Sequence, residues 1–217
     1  MYNVATRDSN SMIFYSEPDA PHFVLMIDPS DSSVALFQEV RRHCAMFVSE
    51  DDPGSRAVVR AAADIAGRRG VKAVYFTDYS YMSLTYPDRI DLADLSFLTT
   101  AQTWYETILS PVYCISPKGE DLEHYRHLAR TNTWRQVGHG LVDIDIPHID
   151  IDASGSAMAM LNYMKKDGGF LDFFAKNMWK LLRRSGIHTL IGTDWVYTPK
   201  DDPRHPLLLP HRTNDLP

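Results

Sequence analysis

Between a short apolar run at residues 44–48 and an alanine-rich stretch lies Ser49-Glu50-Asp51-Asp52-Pro53-Gly54-Ser55-Arg56, the segment best suited to meet an anion. A helix that starts there offers unpaired backbone N–H groups and the positive end of its dipole, and Arg56 adds a cation. Three successive carboxylates, Glu50, Asp51 and Asp52, stand in the same turn and repel a doubly charged ligand. Asp52 is also a good helix cap and Pro53 a good first helical residue, so the segment reads equally as a capped structural helix. A second candidate is Gln102-Thr103-Trp104-Tyr105-Glu106. A phenol at Tyr105 can donate a proton or stabilise developing negative charge. The competing reading makes Trp104 and Tyr105 core aromatics with polar tips at the surface.

A third constellation is Gly138-His139-Gly140 followed by Asp143, Asp145, His148, Asp150 and Asp152. These residue types supply metal ligands, but no recognised zinc or calcium loop spacing is present. On a regular strand Asp143 and Asp145 share one face and His148, Asp150 and Asp152 the other, so convergence requires a bulge at Pro147. Charged residues guarding an exposed strand edge explain the same pattern. A metal-dependent enzyme is therefore kept only as an alternative, and no metal is expected. Cys114 and the scattered histidines show no spacing that joins them into a nucleophilic pair. Gly192-Thr193-Asp194-Trp195 suits a pocket at a strand end or a turn. Ser154-Gly155-Ser156 reads as a helix start, with Asp152 or Ser154 as cap.

The elements that must hold these residues follow from periodicity. Strands are expected at 12–15, 22–27, 33–40 and 44–48, and Asp19, Ala20 and Pro21 turn the first pair. The helix after Pro53 repeats apolar residues at Val58, Ala61, Ala62, Ile65 and Ala66, then ends at Arg68-Arg69 with Gly70 as left-handed cap. A strand at 71–77 completes a βαβ unit with parallel strands. A Tyr-rich connector at 78–88 leads to a helix at 91–108, with Leu92, Leu95, Phe97, Leu98 and Trp104 facing the core. Beyond it come a strand at 112–115, a helix at 119–134 built on Leu122, Tyr125 and Leu128, and a strand at 141–151 broken at Pro147. Helices at 156–165 and 170–184, the second capped by Gly186, precede a strand at 187–196 and a Pro-rich tail at 199–217. The expected class is α/β, with a mixed central sheet flanked by helices, in a single domain over 1–198. The softest boundary lies near residue 118.

In its position between strand and helix, the Gly54 turn resembles the pyrophosphate loop of the Gcn5-related N-acetyltransferase (GNAT) superfamily. There a strand feeds a loop of the form Arg/Gln-x-x-Gly-x-Gly/Ala, whose amides hold the CoA pyrophosphate. Gly54 falls on the first glycine, Asp51 stands where the family has Arg or Gln, and Arg56 where it has Gly or Ala. Tyr105 matches the tyrosine that follows an aromatic residue near the end of the family's next helix. The resemblance covers about residues 44–109 and implies a GNAT-like core at about 12–116 with an extension at about 118–198. It further implies acetyl-CoA as cofactor, an amine as acceptor and N-acyl transfer as the reaction. Tyr105 would be the acid and Glu50 a candidate base. Backbone groups of Val48 and Ser49 would meet the pantetheine arm, and the amides of Gly54, Ser55 and Arg56 the pyrophosphate.

The acidic turn also suits a non-catalytic, acetyltransferase-like interaction module with a protein partner or a second copy of itself. Tyr79, Tyr81, Tyr86, Trp134 and Trp195 are its surface candidates, because exposed aromatics favour interfaces. Residues 45–110 also resemble uncharacterised proteins of large DNA viruses, which extends this expectation to a role in a virus particle. Composition bounds both readings. The 217 residues are 44% hydrophobic and 23% charged, ordinary globular values. A net charge of −6 argues against broad nucleic-acid binding, and the basic runs at 68–69 and 180–184 sit where helices end. Two cysteines fit free thiols in a reducing compartment, and neither a membrane span nor a secretory signal is visible, so a cytoplasmic location is expected.

Overall fold

A computed structural model of the chain describes residues 3–8, 11–17, 20–27, 31–40, 54–84, 89–115, 121–141, 155–166 and 168–201. In chain order the elements are β1 (Asn3–Asp8), β2 (Ser11–Glu17), β3 (Ala20–Ile27), β4 (Val34–Val40), α1 (Gly54–Arg68), β5 (Ala73–Asp78), β6 (Tyr81–Ser83) and β7 (Arg89–Asp91). They continue with α2 (Leu92–Thr100), β8 (Val112–Cys114), α3 (Leu122–Thr131), α4 (Trp134–Val137), α5 (Ala157–Met164), α6 (Phe170–Ser185), β9 (Thr193–Tyr197) and a 3-10 turn at Pro199–Asp201. The architecture is mixed α/β with a mixed central sheet. Among the described residues, no helix is long and apolar enough to cross a membrane. The chain forms two compact units that interleave in sequence. The first comprises Met1–Thr77, Ile108–Tyr113 and Asp194–Pro217; the second comprises Asp78–Thr107 and Cys114–Thr193.

The first unit is built on a seven-stranded sheet of order β1-β2-β3-β4-β5-β9-β8. β1 to β4 form an antiparallel meander, with Val4 opposite Phe14, Ile13 opposite Val24 and Leu25 opposite Phe37. β1 is a strand that periodicity missed, because Asn3-Val4-Ala5-Thr6-Arg7-Asp8 is mostly polar and an edge strand has one neighbour to satisfy it. The chain then crosses through α1 and returns as β5, parallel to β4. The strand paired with β5 is thus β4, whereas the sequence assigned that place to residues 44–48, which lie outside the described residues. The buried stripe of α1 is Val59, Ala62, Ala63 and Ala66, spaced i, i+3, i+4, i+7. Of the apolar positions read onto this helix, Ala62 and Ala66 belong to the stripe, while Ala61 and Ile65 are half-buried. Small side chains let α1 lie close to β3 and β4, over the buried Leu25, Ala35 and Val74. Gly70, at φ 79, ends the helix as expected, and the Val71 amide reaches back to the Ala66 carbonyl at 3.0 Å.

The second unit is helical apart from the β6–β7 hairpin, in which Tyr81 pairs with Asp91 and Ser83 with Arg89. α2 packs against α3, α5 and α6, and α6 also against β7. α2 stops at Thr100 rather than running on to 108, because Ala101 takes a left-handed conformation (φ 56). A separate turn then starts at Thr103. Its amide bonds the Glu106 carboxylate at 2.8 Å, the reciprocal arrangement of a capping box. Of the apolar residues read onto this segment, Phe97 and Leu98 are buried, while Leu92, Leu95 and Trp104 are only half-buried. α3 likewise ends early, at Thr131. Asn132 turns to donate its side-chain amide to the Ser185 carbonyl at 2.9 Å, and Thr133 begins α4 through a capping box with Gln136. The α5 cap is Ser156, whose hydroxyl accepts the Ala159 amide at 3.4 Å, in place of Asp152 or Ser154. α6 buries Phe170, Phe173, Phe174, Met178, Leu181 and Leu182 along one face and closes on Gly186 at φ 69. The segment 187–192, expected as strand, is a loop, and only Thr193–Tyr197 is strand.

Candidate functional site

The parallel ladder between β4 and β5 is short. It pairs Val34 with Ala73, Ala35 with Val74 and Leu36 with Tyr75, and there it ends. Backbone bonds from Lys72 and Ala73 to the Ser33 carbonyl extend it at the opposite end only. β4 nevertheless continues to Val40, held by β3 through Phe23, Val24 and Leu25. Residues 37–40 therefore keep one backbone edge with no strand partner among the described residues. A strand edge whose N–H and C=O groups lack a ladder partner is a template for an extended, amide-bearing ligand. At the last rung Leu36 (49% exposed) and Tyr75 (36% exposed) share one sheet face, opposite to the face on which Ala35 and Val74 are buried.

α1 is the helix that follows this open edge in the chain. It begins at Gly54, carries no acidic residue in its first turn, and presents an exposed Arg56 there. Gly54, Ser55 and Arg56 are the first described residues of α1. Val48, Ser49 and Glu50 lie outside the described residues, as do Asp51 and Asp52.

Tyr105 belongs to the second unit and lies in the turn after α2, 5% exposed, with its ring edge-on to Trp104 at 5.0 Å. Burial, and next the Asp78 carboxylate, push its hydroxyl well above the usual phenol range, so it keeps its proton. The neighbouring Glu106 ties the same turn to α3. It takes the Thr103 amide on one oxygen and the Arg126 guanidinium on the other.

A group of residues that sequence reasoning passed over is the most unusual feature of the second unit. Asp78, Asp91 and Asp94 are 0%, 1% and 0% exposed. Asp94 accepts the Leu190 amide at 2.8 Å and the Thr189 hydroxyl at 2.7 Å, and so fixes the 187–192 loop. Asp78 accepts the Ser80 amide at 3.0 Å and the Ser80 hydroxyl on one oxygen, while its Oδ2 has no partner. Asp91 Oδ1 also lacks a hydrogen-bond partner. Desolvation raises all three, Asp78 and Asp94 to about 6; hydrogen bonds pull Asp78 and Asp94 partly back, neighbouring aspartates add the smallest part to these two, and Arg89 pulls Asp91 down. Single aspartates at a strand end and before a helix look like turn residues and caps, so no sequence signal marked them as buried.

The remaining candidates separate. Of the proposed metal constellation, Gly138 is buried and His139 and Gly140 are exposed, while Asp143, Asp145, His148, Asp150 and Asp152 lie outside the described residues. Among the described residues, no three His, Cys, Asp or Glu side chains group as a metal site. Tyr79 and Tyr81 are exposed as expected, at 65% and 55%, and Tyr86 lies outside the described residues. Trp134 and Trp195 are not surface residues. Trp134 is buried beneath Gly138, and Trp195 is buried in β9. The exposed tryptophan is Trp179 on α6, beside a groove of about 440 Å³ lined also by Arg183, Ile187, His188 and Thr189. No protein-family model, curated protein or solved structure matches the chain.

Proposed function

We propose that the first unit binds an acyl-CoA and that the chain is an N-acyltransferase of the Gcn5-related type. One observation carries the reading: the parallel β4–β5 ladder ends at Leu36 and Tyr75, while β4 runs on to Val40 with no strand partner on that side among the described residues. A pantetheine arm is an extended chain with two amides, and a strand edge meets it as it would meet another strand. The first turn of α1, with the exposed Arg56 and no acidic residue, supplies positive potential for the pyrophosphate. In the reaction, an amine nitrogen bonds to the thioester carbonyl carbon, the carbon–sulfur bond breaks, and the CoA thiolate leaves with a proton. Tyr105 lies in the second unit, and the acyl-CoA site proposed for the first unit draws on first-unit residues alone.

Calorimetry with acetyl-CoA tests this directly. Binding is expected, and Arg56→Glu is expected to weaken it about tenfold, the loss of one phosphate contact of roughly 1.4 kcal/mol. Arg56 is exposed, so the variant folds as the parent does. No heat and no stabilisation at millimolar acetyl-CoA would rule the reading out. A second reading, a non-catalytic binding module, draws on the exposed Tyr79 and Tyr81. Acetyl-CoA binding without transfer to any of a panel of amines would favour it.

A further inference from the structure

α6 buries its apolar face and turns a different row of residues outward. Trp179 and Arg183 stand on that outer row, four residues apart, so their side chains are neighbours on the helix surface. Both are exposed, the indole at 61%, and an indole left in water forgoes the burial that usually stabilises it. Beside them the chain turns at Gly186, and the residues that follow complete a groove of about 440 Å³. Leu182 and Ile187, 3% and 2% exposed, give the groove an apolar base, and Gly186 has no side chain to fill it. His188 is exposed at its rim, with its ring 5.8 Å from that of the buried Tyr125. A space of this size suits a small molecule.

The groove is positively charged. None of the residues that line it is acidic, and the one carboxylate of α6, Asp172, lies in the first turn, seven residues before Trp179. The adjoining row of α6 carries Lys180 and Arg184, both exposed, in a chain whose net charge is −6. Cations at a helix end complement the dipole, yet the Leu182 and Arg183 carbonyls are already taken. The Ile187 amide reaches the first at 3.0 Å and the Gly186 amide the second at 3.3 Å. The Arg183 guanidinium makes no hydrogen bond or ion pair among the described residues. Its fork of donors is therefore free to meet a ligand beside the exposed indole.

We propose that this groove binds a small aromatic carboxylate, with its ring against Trp179 and Ile187 and its carboxylate on the Arg183 guanidinium. A guanidinium meets a carboxylate through two parallel N–H···O bonds, and an indole offers a flat face or edge to a second ring. The His188 imidazole adds a polar group at the rim. Charge complementarity and the exposed indole together select this class. A neutral aromatic would leave Arg183 without a counter-charge, and an inorganic anion would leave the indole in water. The groove lies wholly in the second unit, so the site is independent of the acyl-CoA reading.

The test is amide and indole NMR of the intact chain titrated with naphthoate. Saturable shifts are expected at the Trp179 indole N–H and the amides of residues 182–189, with half-saturation at or below about 1 mM. The neutral naphthamide should bind at least about fivefold more weakly, and acetate should leave the indole signal unmoved. Arg183→Gln and Trp179→Ala should each weaken naphthoate about tenfold. Both side chains are exposed, so the variants fold as the parent does. Arg68→Gln, the same charge change at the end of α1, should leave the affinity unchanged. Equal affinity for naphthoate and its amide, full affinity in Arg183→Gln, or no saturable shift at about 10 mM would overturn the proposal. So would a concentration-dependent dimer that Trp179→Ala abolishes, because a second copy of the chain would then occupy the groove.

Discussion

The Arg126 guanidinium joins three parts of the second unit. It donates to the Ala101 carbonyl at 2.7 Å, to Glu123 at 2.8 Å and to Glu106, and it lies 5.8 Å from the Phe97 ring centre. Arg126 and Glu106 are 11% and 15% exposed, so removing one partner strands the other in a poorly hydrated place. Glu106→Ala should cost about 3 kcal/mol in denaturant unfolding, and Glu106→Gln clearly less, since the amide oxygen still accepts. The segment that drew attention for its aromatic pair thus owes its geometry to the residues beside that pair. Thr103 and Glu106 carry a capping-box spacing that was readable, yet the run from 91 to 108 looked like one helix. The break comes from Ala101 adopting a left-handed conformation, which no local rule assigns to alanine. Asp78, Asp91 and Asp94 were illegible for a different reason. Their burial depends on what the rest of the unit packs around them, and chain order does not encode that.

Elements whose own sequence settles them were read well. α6 has a full apolar stripe, basic residues in its last turn and glycine just beyond, and it runs to Ser185 with Gly186 as cap. Gly186→Ala should cost about 1–2 kcal/mol, measured by thermal or denaturant unfolding, because an L side chain is strained at φ 69. Its methyl would also meet a Leu128 methyl group at 3.3 Å. α1 and the β-strand after it were equally legible. The strand that pairs with β5 was not, since parallel partners are joined through a long connection and β4 and residues 44–48 are both plausible strands by composition. The three-residue hairpin strands β6 and β7 are too short to show a period, and their segment looked like a connector.

For the whole molecule, the α/β class and the parallel step through a helix were legible in the order of elements, whereas the interleaving of two units was not. A unit assembled from distant segments leaves no composition change at its borders. The acyl-CoA reading belongs at this scale, because it rests on how β4, β5 and α1 succeed one another around the point where a ladder ends. Backbone amide NMR of the intact chain, titrated with acetyl-CoA, tests it most directly. The expected result is a set of saturable shifts confined to residues 37–40 of β4 and the first turn of α1, with the meander β1–β3 unmoved. Shifts absent at millimolar ligand, or gathered around the α6 groove instead, would contradict an acyl-CoA site at the β4 edge.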